Sequence, residues 1–113
     1  MSNDLLKKKC KACEDKSIKP FDRAEAEDYL AQTHGWTLDA EAKTISKEYK
    51  FQDFIGAVNF VDRVADIAEM EGHHPDIHVY YNKVVLELST HAIKGLSEND
   101  FIVAAKIDAH NRF

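Results

Sequence analysis

Apolar residues recur at helical spacing in three stretches of the chain. In the longest stretch, residues 53–70, steps of three and four place one set on the same side of an α-helix: Phe54, Val58, Val61, Ala65 and Ala68. Two shorter helices are predicted over residues 22–32 and 97–111. Asp22 and Ser97 each stand three residues before an acidic residue, which is the spacing of a capping box at the start of a helix.

Two other stretches alternate between apolar and polar residues, as half-buried strands do. Residues 36–51 form one predicted hairpin around a polar turn. Residues 77–91 form a second hairpin, with a tight turn at residues 82–83. Continued along the return strand, the alternation places His91 on the face opposite to Leu88, away from the core.

The order of elements is therefore α-β-β-α-β-β-α, which favours an α+β domain of two layers. We expect a four-stranded antiparallel sheet with three helices against one face, the other face being open to solvent, a ligand or another subunit. The apolar arc of the central helix spans about half of its circumference, which is more than one sheet requires. Either neighbouring elements cover this arc or it forms a subunit interface. The arc, which includes Phe60, Val64 and Ile67, and the open sheet face together predict a homodimer or homotetramer.

Composition narrows the class of protein. The chain has 113 residues, of which 44% are hydrophobic and 31% charged, and this is the balance of one globular domain. A net charge of -5 argues against nucleic acid as the primary ligand, since phosphate binding needs a basic surface. Apolar runs are too short for a membrane span or a signal peptide, so we expect a cytoplasmic protein without a membrane partner.

The first 20 residues differ in composition from the rest of the chain. We therefore divide it into an N-terminal extension, residues 1–20, and a domain, residues 21–113. The extension contains Cys10 and Cys13 at the C-x-x-C spacing of zinc half-sites and redox pairs. A structural zinc site usually needs four ligands, and the sequence has 2 cysteines. We interpret them as a ligand-free pair, with shared metal binding and a redox role as alternatives.

Histidine is the residue type that points to chemistry. Of the 6 histidines, four lie within one short stretch: His73, His74, His78 and His91. Imidazole takes and gives protons near neutral pH, and it is also the commonest ligand for transition metals. The spacing of His74 and His78 would suit a helical metal pair, but Pro75 favours an extended conformation there. Metal binding and acid–base catalysis are both open at this point, while His78 by itself is interpreted as a solvent-facing strand residue.

Four short motifs follow one another through the second half of the chain: Glu69-Met70-Glu71-Gly72-His73-His74-Pro75, Tyr81-Asn82-Lys83-Val84, Ser89-Thr90-His91 and Gly95-Leu96-Ser97-x-x-Asp100. Two more precede them: Gly35-Trp36 and Phe51-Gln52-Asp53-Phe54. In their order and spacing these motifs resemble those of the pterin-4a-carbinolamine dehydratases. The resemblance extends over nearly all of residues 21–113.

The resemblance implies dehydration of 4a-hydroxytetrahydropterin to quinonoid dihydropterin and water, a step of tetrahydrobiopterin recycling, without a metal or other cofactor. It implies His73, His74 and His91 as the catalytic residues, with one acid at the leaving hydroxyl and one base at N5. We place His73 and His91 nearer the hydroxyl, and His74 in binding or as the base. The residues expected to bind substrate or to support the histidines are Glu69, Pro75, Trp36, Ser89 and Thr90.

The resemblance leaves two points open. Gly72 stands where some members have Asp, so any role of that carboxylate is absent here or is supplied by Glu71. Asp100 is explained by helix capping alone. The family also includes animal proteins that stabilise dimers of a homeodomain transcription factor, so a non-catalytic dimerisation cofactor is the alternative function. The intact three-histidine set favours the enzyme, since a binding module has no need of three proton-transfer groups.

Overall fold

The computed structural model describes residues 4–8 and 19–110. Within these residues the elements in chain order are α1 (Asp4–Lys7), α2 (Arg23–Leu30), β1 (Thr37–Leu38), β2 (Ile45–Lys50), α3 (Phe54–Glu71), β3 (Asp76–Tyr80), β4 (Lys83–Leu88), a 3-10 helix (His91–Ile93) and α4 (Glu98–His110). No helix in these two ranges combines the length and the apolar character that crossing a membrane requires.

The four strands form one antiparallel sheet in the order β1-β2-β4-β3. Strand β4 lies inside the sheet, where Leu88 pairs with Ile45 of β2 and Val84 pairs with Tyr49. The predicted α+β fold is confirmed, with the short helix α1 as one helix more than the three expected. Leu5 of α1 is 2% exposed and packs in the core, although it belongs to the segment interpreted as an extension.

The two faces of the sheet have different surroundings. Val84, Leu86 and Leu88 of β4 are 0% exposed and belong to the core that the helices cover. On the other face Glu48 of β2 and His78 of β3 are exposed. The helices therefore cover one face, as predicted, and the other face of the single chain is open.

Helix α3 buries part of the apolar arc expected from the sequence, on the side that contains Phe60 more than along the stripe that begins at Phe54. Phe54 is 48% exposed and Ala65 is also exposed, although both belong to the expected stripe. The buried stripe consists of Ala57, Phe60, Val64, Ile67, Ala68 and Glu71. Phe60, Val64 and Ile67 pack in the core of their own chain, so these three residues do not form a subunit interface. For them the first alternative, cover by neighbouring elements, is the right one.

The turn of the second hairpin lies one residue earlier than predicted. Tyr80 pairs with Lys83, so the two-residue turn is at residues 81–82 and not at residues 82–83. The Asn82 carbonyl accepts a hydrogen bond from the Phe51 N–H at 2.8 Å. This bond ties the turn to the end of β2.

The predicted position of His91 on a strand is wrong. Strand β4 ends at Leu88, and the Thr90 N–H then bonds the Gly95 carbonyl at 2.8 Å. This closure turns the chain, so that His91 begins the 3-10 helix. The alternation along β4 therefore does not decide where the His91 side chain points.

The predicted helix starts carry the predicted caps. Asp22 Oδ1 accepts the Glu25 N–H at 2.8 Å, and the Asp22 N–H donates to the Glu25 carboxylate at 3.2 Å. At the start of α4 the Ser97 N–H donates to the Asp100 carboxylate at 3.0 Å. Helix α3 ends at Glu71, and the next residue, Gly72, caps it with a left-handed φ of 65°. This conformation turns the chain into the loop that carries the two adjacent histidines.

Replacing Gly72 by Ala should lower the free energy of unfolding by about 1 kcal/mol, because the left-handed conformation is unfavourable for a residue with a Cβ. A Cβ at Gly72 would meet nothing within 4 Å outside its chain neighbours, so the effect is conformational and not steric. Urea denaturation followed by circular dichroism measures the change. Gly72→Asn is the control, since Asn tolerates this conformation better. An Ala variant as stable as the parent would contradict the prediction.

Candidate active site

The first of the two adjacent histidines points into the protein. After Gly72 the His73 N–H bonds the Ala68 carbonyl at 3.2 Å. The His73 side chain is 3% exposed, and its Nε2 lies 2.6 Å from Oδ1 of Asp100, which is 0% exposed. A buried imidazole–carboxylate pair therefore joins the end of α3 to the first turn of α4.

The Asp100 carboxylate receives hydrogen bonds from other parts of the chain as well. Its Oδ2 accepts the Thr90 hydroxyl at 2.8 Å and the Ser97 N–H at 3.0 Å. The hydroxyl oxygens of Thr90 and Ser97 are themselves 2.8 Å apart. Because a buried carboxylate is costly unless its oxygens are hydrogen-bonded, these donors make the position of Asp100 possible. Asp100 thus connects the loop of His73 with the turn that follows β4.

The second adjacent histidine points to the surface. His74 Nε2 lies 2.5 Å from Glu69 Oε2, and the two side chains are 59% and 76% exposed. Glu69 lies one helical turn before the loop, as the sequence indicated. Pro75 is half-buried and restricts His74 to an extended backbone, in which neighbouring side chains point to opposite sides. The loop therefore presents one buried and one exposed imidazole.

The residues from the Ser89-Thr90-His91 motif lie beside this loop. Thr90 is 2% exposed and its hydroxyl reaches Asp100, the partner of His73. His91 follows directly and is exposed, while Ser89 is half-buried. The structure thus brings the Thr90 hydroxyl to the His73–Asp100 pair, and His91 is the next residue in the chain.

Trp36, one of the predicted site residues, lies elsewhere. It is 6% exposed, and its indole N–H donates to Asp108 Oδ2 at 2.8 Å. The hydroxyl of Tyr49 and the ammonium of Lys47 bind Asp108 Oδ1 at 2.6 and 3.0 Å. Burial, followed by the hydrogen bond to Asp108, raises the pKa of Tyr49 well above its usual value. Asp108 is about two helical turns, or about 12 Å, from Asp100 along α4, so Trp36 belongs to a separate polar cluster.

Asp100 lies at the candidate site, although sequence reasoning did not place it there. Its spacing from Ser97 indicated a helix cap, and it is one. No periodicity shows that its other oxygen faces His73, which is 27 positions away. The Gly95-to-Asp100 motif was the signal that could have found it.

The sequence also raised a metal site, a cysteine pair and possible roles of His78 and Glu71. Among residues 4–8 and 19–110, no group of three or more His, Cys, Asp or Glu is arranged to hold a metal ion. Cys10 and Cys13 lie outside the described residues. His78 is exposed on the open sheet face, with Nε2 2.9 Å from Glu87 Oε1. The Glu71 carboxylate lies 2.6 Å from the Lys106 ammonium, facing α4.

Comparison of the sequence with known proteins identifies the family of this chain. The family model for pterin 4 alpha carbinolamine dehydratase matches residues 19–110. This chain belongs to that family. A Halorhodospira halophila protein named for pterin-4-alpha-carbinolamine dehydratase is 47% identical over 105 residues, covering 93% of this chain and 95% of the relative. Pterin-4-alpha-carbinolamine dehydratase 2, mitochondrial, of Arabidopsis thaliana is 45% identical over 93% of this chain and 58% of its own length. The predicted family is therefore confirmed, and with it the assignment to an enzyme family.

Solved structures support the same dehydratase fold. A transcriptional coactivator/pterin dehydratase from Brucella melitensis superposes with a TM-score of 0.76 and 32% identity, covering 80% of this chain and 97% of that one. A pterin dehydratase-like protein described as a RuBisCO assembly factor in the alpha-carboxysome gives a TM-score of 0.58 at 25% identity, covering 67% and 88%. The fold of this dehydratase family thus occurs in proteins to which different functions are ascribed.

Replacing Asp100 by Ala should lower the free energy of unfolding by about 3 kcal/mol, because the buried donors that it receives would lose their acceptor. Thermal and urea denaturation measure the change. The control is Glu87→Ala, which breaks the exposed pair with His78 and should change stability by less than about 1 kcal/mol. Equal effects of the two substitutions would show that the buried network does not stabilise the fold.

Proposed function

We propose that this member of the dehydratase family removes water from 4a-hydroxytetrahydropterin to give quinonoid dihydropterin, in the recycling of tetrahydrobiopterin. The observation that carries the proposal is the fixed His73–Asp100 pair beside the exposed His74 and the turn at His91. Family membership supports the same chemistry. The site offers proton-transfer groups on more than one element, as this reaction requires.

The reaction needs one acid and one base at neighbouring atoms of the pterin. The C4a–O bond breaks as the hydroxyl takes a proton from the acid and leaves as water. The N5–H proton passes to the base, and its bonding electrons form the C4a=N5 double bond. Two imidazoles, one protonated and one neutral, can perform both transfers at neutral pH. No electron donor, electron acceptor or metal enters this balance.

Exposure suggests how the three histidines share the work. His74 and His91 are exposed, so their rings are open to a ligand that approaches from solvent. His73 is 3% exposed, so it can present little more than one edge. In the proposed site His91 and His73 lie on the side of the departing hydroxyl, and His74 binds the pterin or accepts the N5 proton. Glu69 contacts His74 from the preceding helical turn.

A non-catalytic dimerisation cofactor of a transcription factor is the second candidate function. The Brucella melitensis neighbour, described as a transcriptional coactivator/pterin dehydratase, is the observation that favours it. A docking module has no need of proton-transfer groups, whereas the dehydration needs an acid and a base. The dehydratase is therefore the function we propose first, and turnover of the pterin substrate separates the two.

Replacing His73, His74 or His91 by Ala should lower the rate of dehydration by about 10²–10⁴-fold, because a positioned acid or base typically contributes this much. The assay uses 4a-hydroxytetrahydropterin generated enzymatically, with the uncatalysed rate subtracted. His78→Ala is the matched control, since His78 lies on the open sheet face. Full activity in the His74 and His91 variants, or a loss confined to His78→Ala, would overturn the assignment.

We further propose that the chain is a homodimer or homotetramer, now on a different basis from the sequence argument. Phe54, Ile55 and Met70 of α3 are 48%, 64% and 71% exposed in the single chain. Burial of apolar side chains that are exposed to this extent favours association with a second subunit. Light scattering at micromolar concentration should give a particle of at least twice 12.9 kDa, and a 12.9 kDa particle would refute the proposal.

A further inference from the structure

Thr90 is a buried residue whose hydroxyl faces protein groups on both sides. Its side chain is among the least exposed polar ones, at 2%. The hydroxyl lies 2.8 Å from Asp100 Oδ2 and 2.8 Å from the Ser97 hydroxyl. Both contacts are within the protein, so the Thr90 hydroxyl contacts the Asp100 network and not a ligand in solvent.

With Asp100 as an ionised carboxylate, the hydrogen atoms in this network have one consistent arrangement. An ionised carboxylate only accepts, so the single hydrogen of the Thr90 hydroxyl goes to Asp100. The Ser97 hydroxyl must then donate to the Thr90 oxygen. At the other carboxylate oxygen the donor is Nε2–H of His73, at 2.6 Å. In its neutral form the His73 ring therefore carries its proton on Nε2 and its lone pair on Nδ1.

The backbone of Thr90 is held as firmly as its side chain. The Thr90 N–H donates to the Gly95 carbonyl at 2.8 Å, and the Thr90 carbonyl accepts the Ile93 N–H at 3.1 Å. These bonds define the turn in which His91 is the next residue. The same residue thus fixes the acceptor of the His73 ring and the backbone from which His91 projects.

We propose that Thr90 is a positioning residue that sets both His73 and His91 in the site. Through its hydroxyl it holds Asp100 in the orientation that selects one tautomer of His73. Through its backbone it holds the start of the turn that carries His91. The kinetic part of this inference rests on the proposed dehydratase function, while the tautomer of His73 does not.

The test compares Thr90→Val with Thr90→Ser. Valine keeps the branched shape and the backbone bonds but lacks the hydroxyl, whereas serine keeps the hydroxyl and lacks the methyl group. Thr33→Val is the matched control, because the Thr33 hydroxyl bonds the Leu30 carbonyl at 2.8 Å, in the turn after α2, and does not bond the His73–Asp100 pair. If Thr90→Val does not fold by circular dichroism, Thr90→Ala replaces it with the same expectations.

The readouts are steady-state kinetics and ¹⁵N spectra of the protein labelled at histidine. In Thr90→Val, kcat should fall about 10-fold with little change of KM, the size expected for one lost bond to a charged group. The His73 ring signals should move from the Nε2–H tautomer toward a mixture of tautomers. Thr90→Ser should restore both readouts, and Thr33→Val should leave both unchanged.

Each other outcome has a definite meaning. Wild-type His73 signals in Thr90→Val would overturn the inference, whatever happens to kcat. Changed signals that Thr90→Ser fails to restore would assign the effect to the methyl group and also overturn it. If the wild-type protein does not turn over the pterin, the proposed function fails, while the ¹⁵N spectra still decide the role of Thr90.

Discussion

The buried carboxylate of Asp100 is the constraint on which the rest of the site depends. A charged group without solvent exposure is destabilising by several kcal/mol unless hydrogen bonds replace its water. Its donors come from the loop of His73, the turn at Thr90 and the start of α4 at Ser97. These segments can satisfy Asp100 only when α3, β4 and α4 are packed together. Folding of the domain and assembly of the site are therefore the same event.

Polar contacts hold helix α4 to other elements at several points along its length. In its first turn Asp100 binds the loop after α3, and farther along Lys106 binds Glu71 at the end of α3. About two turns after Asp100, Asp108 accepts bonds from Trp36 and Tyr49, next to and within the sheet. The helix thus cannot shift along its axis without breaking partly or fully buried polar contacts. The loop that carries His73 is bonded to this helix, so its position is fixed as well.

Local chemistry explains which features could be predicted from the sequence. The α+β fold follows from helical and alternating periodicity, and the capping box at Asp22 is a contact between near neighbours. The Asp100–His73 bond joins residues 27 positions apart, and no local pattern encodes it. The strand prediction at His91 failed because the bridge between Thr90 and Gly95 ends the alternation. Trp36 bonds Asp108 and not Asp100, and its residue type alone does not indicate which carboxylate it meets.

The adjacent histidines differ in what holds them, and this difference fits the chemistry. His73 is fixed by a buried carboxylate, so the fold determines its orientation before any ligand arrives. His74 contacts Glu69 in an exposed pair, and exposed pairs contribute little energy to holding a side chain in place. In the proposed site, the loop offers a pterin one rigid group and one adjustable group. The proposed loss of water requires alignment at two neighbouring atoms, C4a and N5. A fixed group can define the first alignment, while the adjustable group follows the ligand to complete the second.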